Sequence, residues 1–588
     1  MQKYFLILAL ACQNIIGHCQ LYTLDLKSPE NKVITQWLHT QPSKQDSLSW
    51  ILARNNLFQS LHINGYLLAE LKKWKFSNDT LYAEIEPGAI IHWAKISFKA
   101  LEFLPPHWIT GLDVSGQVVD YEAWKSGVNN ILKNAQAEGY LFADYKLEVL
   151  GLKNDSLEAE IIFNPGLKII LDTVEVEGTA KLSDQYLLKS MGLKRGQPVT
   201  PGDLANLQQQ LNNLRFIQQY SPPVMILIGE KATIRTYLNN RTASSFDILA
   251  GFQPAPDMGK GLSITGYVKL DLINQLLHGE RMYLNIEKLR PRSQKLEMIM
   301  SYPYLLDLPF GVEGEFKLLK NDTLYSELEW KAGISFPFGK NQYVKAGVTQ
   351  HSTNIISIDE QQIISTKKLP TYVDLRIKGL TLGIYRNRLD YDLNPRKGYT
   401  AAFDGSFSQK NVVPNSLIEG LSDIDTTFDY STLYDSLEDY SSRIALEGAL
   451  QWFVPWGSRS TIRLAGDFGA LWSGTNLYDN ELFRLGGYAR LRGFDEESIL
   501  AQFYSILSAE YRLIIGGGSY VSLFTDYAWV KNDNVEIPME DHPFGFGFGL
   551  NLETKAGIFG MRTAVGAQQG NAIDFNNLRL HFGYVNRF

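Results

Sequence analysis

The chain reads as a two-part protein, three α+β repeats followed by an all-β antiparallel transmembrane barrel of sixteen strands. Three observations carry this reading. After Ser244 the helical spacing of apolar residues stops, and segments with period-two alternation run on to Phe588. Before it, a helix-to-strand unit that closes in Pro-Gly recurs along the chain. Aromatic residues reach 12%, with 30 Tyr, 30 Phe and 11 Trp, and 48 glycines accompany them. Aromatic girdles and glycine-lightened strands are marks of membrane barrels.

The N-terminal segment is "MQKYFLILALACQNIIGHCQ", with one lysine ahead of the apolar run Tyr4–Ala11. Small residues Gly17 and Cys19 sit three and one before Gln20. This pattern predicts a secretory signal peptide over residues 1–19, cleaved between Cys19 and Gln20. A transmembrane anchor needs about 20 apolar residues, more than this run supplies. Lipoprotein cleavage at Cys12 is the alternative, with Ala9 a poor match at its leading position. The only two cysteines lie in this segment, so the mature chain is expected to carry neither a disulfide nor a thiol catalyst.

Residues 20–92, 93–167 and 168–243 form the three repeats. In the second, Trp124, Val128, Ile131 and Leu132 recur at helical spacing, and Gly139 is the expected C-cap. "YKLEVLGLKNDSLEAEIIFNPG" then reads as two strands around an Asn-Asp turn. The first repeat closes in the same way with "LLAELKKWKFSNDTLYAEIEPG". The third opens with "ILDTVEVEG", passes through a helix around Asp203–Leu214, and ends in "PVMILIGEKATIRTYLNNR".

Residues 244–588 are read as the barrel. The sixteen strands fall at 245–253, 261–273, 279–290, 295–304, 308–318, 325–336, 341–351, 377–392, 398–410, 441–456, 459–474, 502–515, 519–531, 543–555, 557–568 and 577–588. Short turns at Pro337–Lys340, Gly457–Ser460, Gly516–Ser519 and Lys555–Gly557 alternate with longer polar connections. The long connections are Thr349–Val373, Asn411–Tyr440 and Ser473–Ala501. An even strand number, with short turns at one end and long loops at the other, is the pattern of a bacterial outer-membrane barrel.

Other chemistries find no footing. A net charge of −7 without a basic cluster excludes a nucleic-acid footprint. There is no G-x-S-x-G, no H-E-x-x-H and no P-loop, and the nine histidines make no metal-ligand pair. The chain is therefore expected to be no enzyme and to need no cofactor or metal. "FGFGFGLNL" (Phe544–Leu552) is glycine-rich, but its period of two makes it barrel wall. The acidic stretch Ser422–Ser442 reads as a solvated outer loop in preference to a calcium site.

One segment, "LFRLGGYARLRGF" (Leu482–Phe494), stands out because it puts a Gly-Gly pair and an Arg-Gly-Phe core in the longest outer loop but one. It resembles the sixth-loop signature of the BamA-like outer-membrane protein assembly and translocation family. "SAEYRL" (Ser508–Leu513) and "FTDYAWV" (Phe524–Val530) are similar to the two strand motifs that follow it. "YRNRLDYDLNPRKGY" resembles the family's Asp…Pro-x-x-Gly segment, here Asp390 or Asp392 with Pro395 and Gly398. "SYPYLLDLPFG", "EGYLFADYKLEV" and "VEVEG" match further motifs of the family, in the right order. Such proteins carry periplasmic polypeptide-transport-associated (POTRA) repeats, each β-α-α-β-β, ahead of a sixteen-stranded barrel. Three departures stand beside the likeness. Ala528 occupies a position usually held by glycine, Asn586 replaces an apolar residue in the C-terminal signal of Gly583 and Phe588, and the first repeat matches least well.

The resemblance implies a site. Gly486, Gly487, Arg492, Gly493 and Phe494 would form a loop folded back into the lumen, with Arg492 contacting Glu510, Phe524 and Asp526 on the wall. The planar guanidinium fork suits carboxylate binding, Gly493 allows a tight turn, and Phe494 would pack on the wall. In a polar lumen the ion pair is expected to be partly solvated and modest in energy. It also implies a location, the bacterial outer membrane with the POTRA repeats in the periplasm. The partners would be unfolded outer-membrane proteins, the lipid bilayer and periplasmic accessory subunits. "SSFDILAGF" and "NNLRLHFGYVNRF" would close the barrel, with Gly583 and Asn576–Asn577 weakening that seam. A weak seam and the POTRA sheet edges would receive client strands by β-augmentation. The alternative is a two-partner-secretion-type pore for one dedicated exported protein.

Overall fold

A computed structural model describes residues 20–99, 105, 108, 115–211, 214–254, 262–290, 292–305, 308, 310–339, 342–390, 394–438, 440–516, 518–533 and 539–588. The expected signal segment and Asp392 lie outside these residues.

The N-terminal region is α/β and holds three sheets. The first comprises β1 (Leu21–Lys27), β2 (Gln45–Asp46), β3 (Glu70–Ser77) and β4 (Thr80–Glu86), in the order β2-β1-β4-β3. Between them run α1 (Lys32–Thr40) and α2 (Ser47–Ile63), started by the side chains of Asn31 and Asp46 accepting from free backbone amides. Trp50, Leu57 and Leu61 of α2 are buried with Leu81 and Ile85 of β4, because period 3.6 and period 2 each present one apolar face. The second sheet has the order β5-β7-β6, from β5 (His92–Lys99), β6 (Asp144–Lys153) and β7 (Ser156–Asn164). Its helix α3 (Tyr121–Ala137) buries Trp124, Val128 and Ile131 and is followed by Gly139 at φ 99°, a left-handed position that favours glycine. In both sheets the opening strand runs parallel to the central one, β1 to β4 and β5 to β7. The first repeat thus shares its arrangement with the second despite its poorer motif match. The third sheet, β8-β10-β9, is built from β8 (Ile170–Glu177), β9 (Ile217–Ile228) and β10 (Lys231–Asn240), with α4 (Asp184–Ser190) and α5 (Pro201–Leu211) between.

From Ser245 the chain closes into an antiparallel barrel. Its first eleven strands are β11 (Ser245–Pro254), β12 (Leu262–Ile273), β13 (Arg281–Arg290), β14 (Ser293–Tyr302), β15 (Gly311–Asn321), β16 (Tyr325–Gly339), β17 (Gln342–Ile355), β18 (Asp374–Leu389), β19 (Gly398–Val413), β20 (Ser441–Pro455) and β21 (Ser460–Ser473). The short pair β22 (Phe483–Leu485) and β23 (Ile499–Ala501) lies outside the wall as a sheet of its own. The wall resumes with β24 (Phe503–Gly516) and β25 (Ser519–Asn532), then β26 (Met539–Asp541) and β27 (Phe544–Thr554), and ends with β28 (Gly557–Ala567) and β29 (Arg579–Arg587). β26 and β27 are one strand interrupted at His542-Pro543, since the register on β25 continues from Val530 opposite Asp541 to Tyr527 opposite Phe544. Proline has no N–H to give to the ladder. Counted so, sixteen strands span the wall. Leu507, Tyr511 and Leu513 of β24 are exposed on the outer face, while Glu510 and Arg512 turn into the lumen and are buried.

Two features differ from the sequence reading. The connection 322–324, at the long-loop end, is as short as a turn. Residues 422–437 of the acidic stretch belong to a folded outer cap rather than a solvated loop. There α6 (Glu360–Thr366) and α7 (Ser416–Glu419) bury Ile363, Ile418, Leu421 and Tyr430 together. Lys367 fastens the cap by donating to Asp425 and to the Tyr430 hydroxyl.

Candidate functional site

The sixth outer loop, residues 474–502, turns into the lumen on the β22–β23 stem. Its root is held by a buried Lys410–Glu481 ion pair at 2.6 Å and by Asn480, which bonds the backbone of Val373. Beyond the stem the loop doubles back on itself. Gly486 and Gly487 have φ of 104° and 120°, and a Cβ on Gly487 would lie 1.8 Å from the Glu496 carboxylate. That close approach is the physical reason for the Gly-Gly pair.

At the tip Arg492 meets all three expected partners. Nε and Nη2 donate to the two Asp526 oxygens at 2.8 and 2.6 Å, and Nη1 donates to Glu510 at 3.0 Å. The Arg492 backbone N–H also donates to Asp526, at 2.7 Å. The guanidinium lies over the Phe524 ring, 3.7 Å from its centroid. Gly493, at φ 101°, brings the backbone against β28, where a Cβ would lie 2.5 Å from the Val565 carbonyl oxygen. Phe494 is buried against Gly566 in a cluster that includes Leu491, Ile506 and Ala528. Ala528, the departure from the glycine pattern, therefore fits, with its methyl group part of that cluster.

The expectation of a partly solvated pair is corrected. Arg492 is 7% exposed, Glu510 5% and Asp526 1%. The loop itself covers the wall and excludes water, so breaking the pair leaves buried charge behind. Sequence reasoning also missed partners. Ser508 accepts from Arg492 Nη2 at 2.9 Å, and Arg484 binds Glu327 and the Tyr325 hydroxyl across the lumen. Ser508 was findable, since it lies two residues before Glu510 and so on the same strand face. Glu327 has no such signal, because its nearness to Arg484 arises only when the barrel closes.

The remaining predicted residues sit elsewhere. Asp390 closes the β18–β19 turn by accepting from the Arg396 N–H at 3.0 Å, with Pro395 buried in that turn. Gly398 ends it at φ 108°, where a Cβ would strike the Arg388 carbonyl. Gly583 lies in β29 opposite Leu249 and Gly560, and the Phe588 N–H donates to the Ser244 carbonyl. Asn576 and Asn577 do not enter the seam. They lie in a 3-10 turn capped by Asp574, ahead of β29, so they cannot weaken it as expected. Asn586 donates to the Ala556 carbonyl and the Tyr584 hydroxyl.

A barrel of sixteen strands that follows POTRA-like sheets in the chain, with an arginine loop anchored in its lumen, is the fold of an outer-membrane β-barrel protein. The Omp85 superfamily domain matches residues 302–588, so this part of the barrel is an Omp85 domain. Among solved structures, CdiB from Acinetobacter baumannii is 13% identical with a TM-score of 0.51, covering 95% of this chain and 100% of its own. CdiB from Escherichia coli is 12% identical with a TM-score of 0.52, covering 85% and 91%. BamA from Haemophilus ducreyi lacking POTRA domains 1–3 is 16% identical with a TM-score of 0.46, covering 85% and 100%. Identities this low speak to the fold alone. No curated protein sequence matches the chain.

Proposed function

We propose that the chain is an outer-membrane protein assembly factor that receives unfolded clients on its POTRA sheet edges and inserts them through the β11–β29 seam. The observation that carries this reading is the thinness of the seam. β29 has nine residues, the fewest of the spanning strands. It is in register with β11 over eight positions, Ser245–Arg587 to Phe252–Leu580, and with β28 over seven. β18 and β19 are in register over sixteen. Parting any two strands in lipid strands their backbone groups at several kcal/mol each. An incoming client strand supplies replacement bonds, and both ladders of β29 are short, so exchange at this strand costs less than along a long ladder such as β18–β19. Burial of the client's apolar face drives the step without a nucleotide.

On the periplasmic side, β6 is the favoured receiving edge. It lies at the end of its sheet and exposes Val149 and Leu152. β9, the corresponding edge of the third sheet, contains Pro222 and Pro223, which offer no N–H. Periplasmic accessory subunits belong to this reading as further partners.

The second reading, a two-partner-secretion-type pore for one exported protein, draws on the lumen. A cavity of about 420 Å³ lies beside the sixth loop, lined by charged groups such as Glu315, Lys317, Glu329 and Lys331. Such a chamber suits a hydrated polypeptide. Depletion followed by outer-membrane proteomics separates the two. Broad loss of barrel proteins supports assembly, loss of one secreted protein supports the pore, and no protein-specific loss refutes both.

A further inference from the structure

The sixth-loop tip also touches both sides of the closing seam, through contacts separate from the Arg492 anchor. On the side of the last strand, Arg579 of β29 donates to Asp495 at 2.9 Å and to the Gly493 carbonyl at 2.6 Å. His581 of the same strand faces Tyr488, with ring centroids 6.4 Å apart. On the side of the first strands, Tyr488 lies against Tyr267 of β12, with centroids 4.8 Å apart. The Tyr488 hydroxyl accepts from Lys269 of β12 at 2.8 Å. Tyr267 in turn donates to Asp247 of β11 at 3.1 Å. β12 is bonded to β11, and β11 to β29 across the seam. A side chain that grips both β12 and β29 therefore spans the seam from inside.

We propose that the loop tip is an internal staple on the seam, with Tyr488 and the Asp495–Arg579 pair as its two positioning elements. One leg is fixed to β29 and the other to β12. The strands cannot separate to admit a client until the tip withdraws. The staple works from the lumen, which a client approaching through lipid does not reach, so it keeps the short β11–β29 ladder closed between clients. Tyr488 supplies a stack and a hydrogen bond at one point, and Arg579 a charge-assisted fork at the other. The inference rests on the seam reading of function given above, but its test does not.

The test uses the full chain in lipid vesicles with spin labels at Ala250→Cys and Phe582→Cys, registered partners across the seam. Cys12 and Cys19, the only native cysteines, are replaced by serine. Double electron–electron resonance reads the seam distance. The unaltered seam is expected to give one short distance. Tyr488→Ala and Asp495→Ala are each expected to add a longer one, raising the open fraction on the order of tenfold. Tyr488→Phe and Arg579→Lys keep the bulk and the charge, so they carry the test where a truncation fails to give a folded barrel. They are expected to raise the open fraction by less. An unchanged distance distribution in folded variants overturns the staple. Client insertion is measured in the same vesicles. If the variants open the seam while no chain inserts a client, the staple stands and the assembly reading falls. If clients insert normally and no variant opens the seam, the staple alone falls.

Discussion

Arg492→Ala is the most informative single change. It deletes the bidentate bond to Asp526, the bond to Glu510, the contact with Ser508 and the cation over Phe524. Breaking a buried ion pair costs about 3–5 kcal/mol when the remaining charge is left alone. Here neither carboxylate is left alone. Glu510 keeps Arg512 at 2.8 Å and Arg463 at 3.7 Å, and Asp526 keeps Ser508 and the N–H of residue 492. The cost therefore falls at the low end, about 3 kcal/mol, which shifts the docked-to-undocked ratio of the loop by roughly a hundredfold. Limited proteolysis of the full chain in bilayers reads that ratio, because cleavage follows the population of the open form when docking is fast. Cleavage within residues 486–498 should rise accordingly, while the barrel stays folded. Arg492→Lys keeps the charge and loses the fork, so it should cost about 1–2 kcal/mol. If Arg492→Ala is cleaved within about twofold of the unaltered chain, the latch reasoning is refuted.

Asp526→Ala should release the loop more than Glu510→Ala, because Arg492 makes three bonds to Asp526 and one to Glu510; the same proteolysis ranks them, and the reverse order contradicts the geometry. Gly493→Ala should undock the tip at a cost of about 1–3 kcal/mol with every charge intact, since its φ of 101° and the Val565 carbonyl 2.5 Å from a Cβ leave no room to relax. Client assembly should fall in parallel, and normal assembly with an undocked tip argues against a role for docking. In the outer cap, hydrogen bonds from Lys367 and then Thr427 and Tyr430 hold the Asp425 carboxyl well below its usual range. A depressed carboxylate contributes stability above its ordinary value, about 3.9, and loses it only as pH falls through the lower folded value. The cap should thus resist pepsin at pH about 4, and Asp425→Asn should open it there; equal cleavage of both chains rejects the lock.

Local periodicity made most of the fold legible. The strand edges in the wall fall within a few residues of those read from alternation, because a lipid-facing side chain at every second position leaves little freedom in register. The folded cap was hidden for the opposite reason. Its core joins Ile363 of one loop to Ile418 and Tyr430 of another, and neither loop has an apolar face by itself. The partners of Arg492 could be named because the family resemblance carries them on short, local motifs. Their burial could not, since it comes from the loop's own body covering the wall. In the folded chain Asp495, Glu496 and Glu497 reach Arg579 of the last barrel strand, the N–H of Tyr488 in the loop itself and Lys295 of the fourth barrel strand, contacts that no local pattern signals.

The choice of charge for this anchor has a physical logic. An apolar tip of the same size would bind the wall at least as tightly, since well-packed hydrophobic groups commonly match or exceed a buried ion pair in stability. It would also expose an apolar patch to the polar lumen whenever it left. Arg492, Asp526 and Glu510 behave differently. Docked, they fix one register, because a guanidinium fork fits Asp526 in a single geometry. Released, each regains water, and the wall left behind is polar. Such a latch is specific when closed and harmless when open. On the function proposed above, those two properties are what a seam that parts and re-forms would require of the loop beside it.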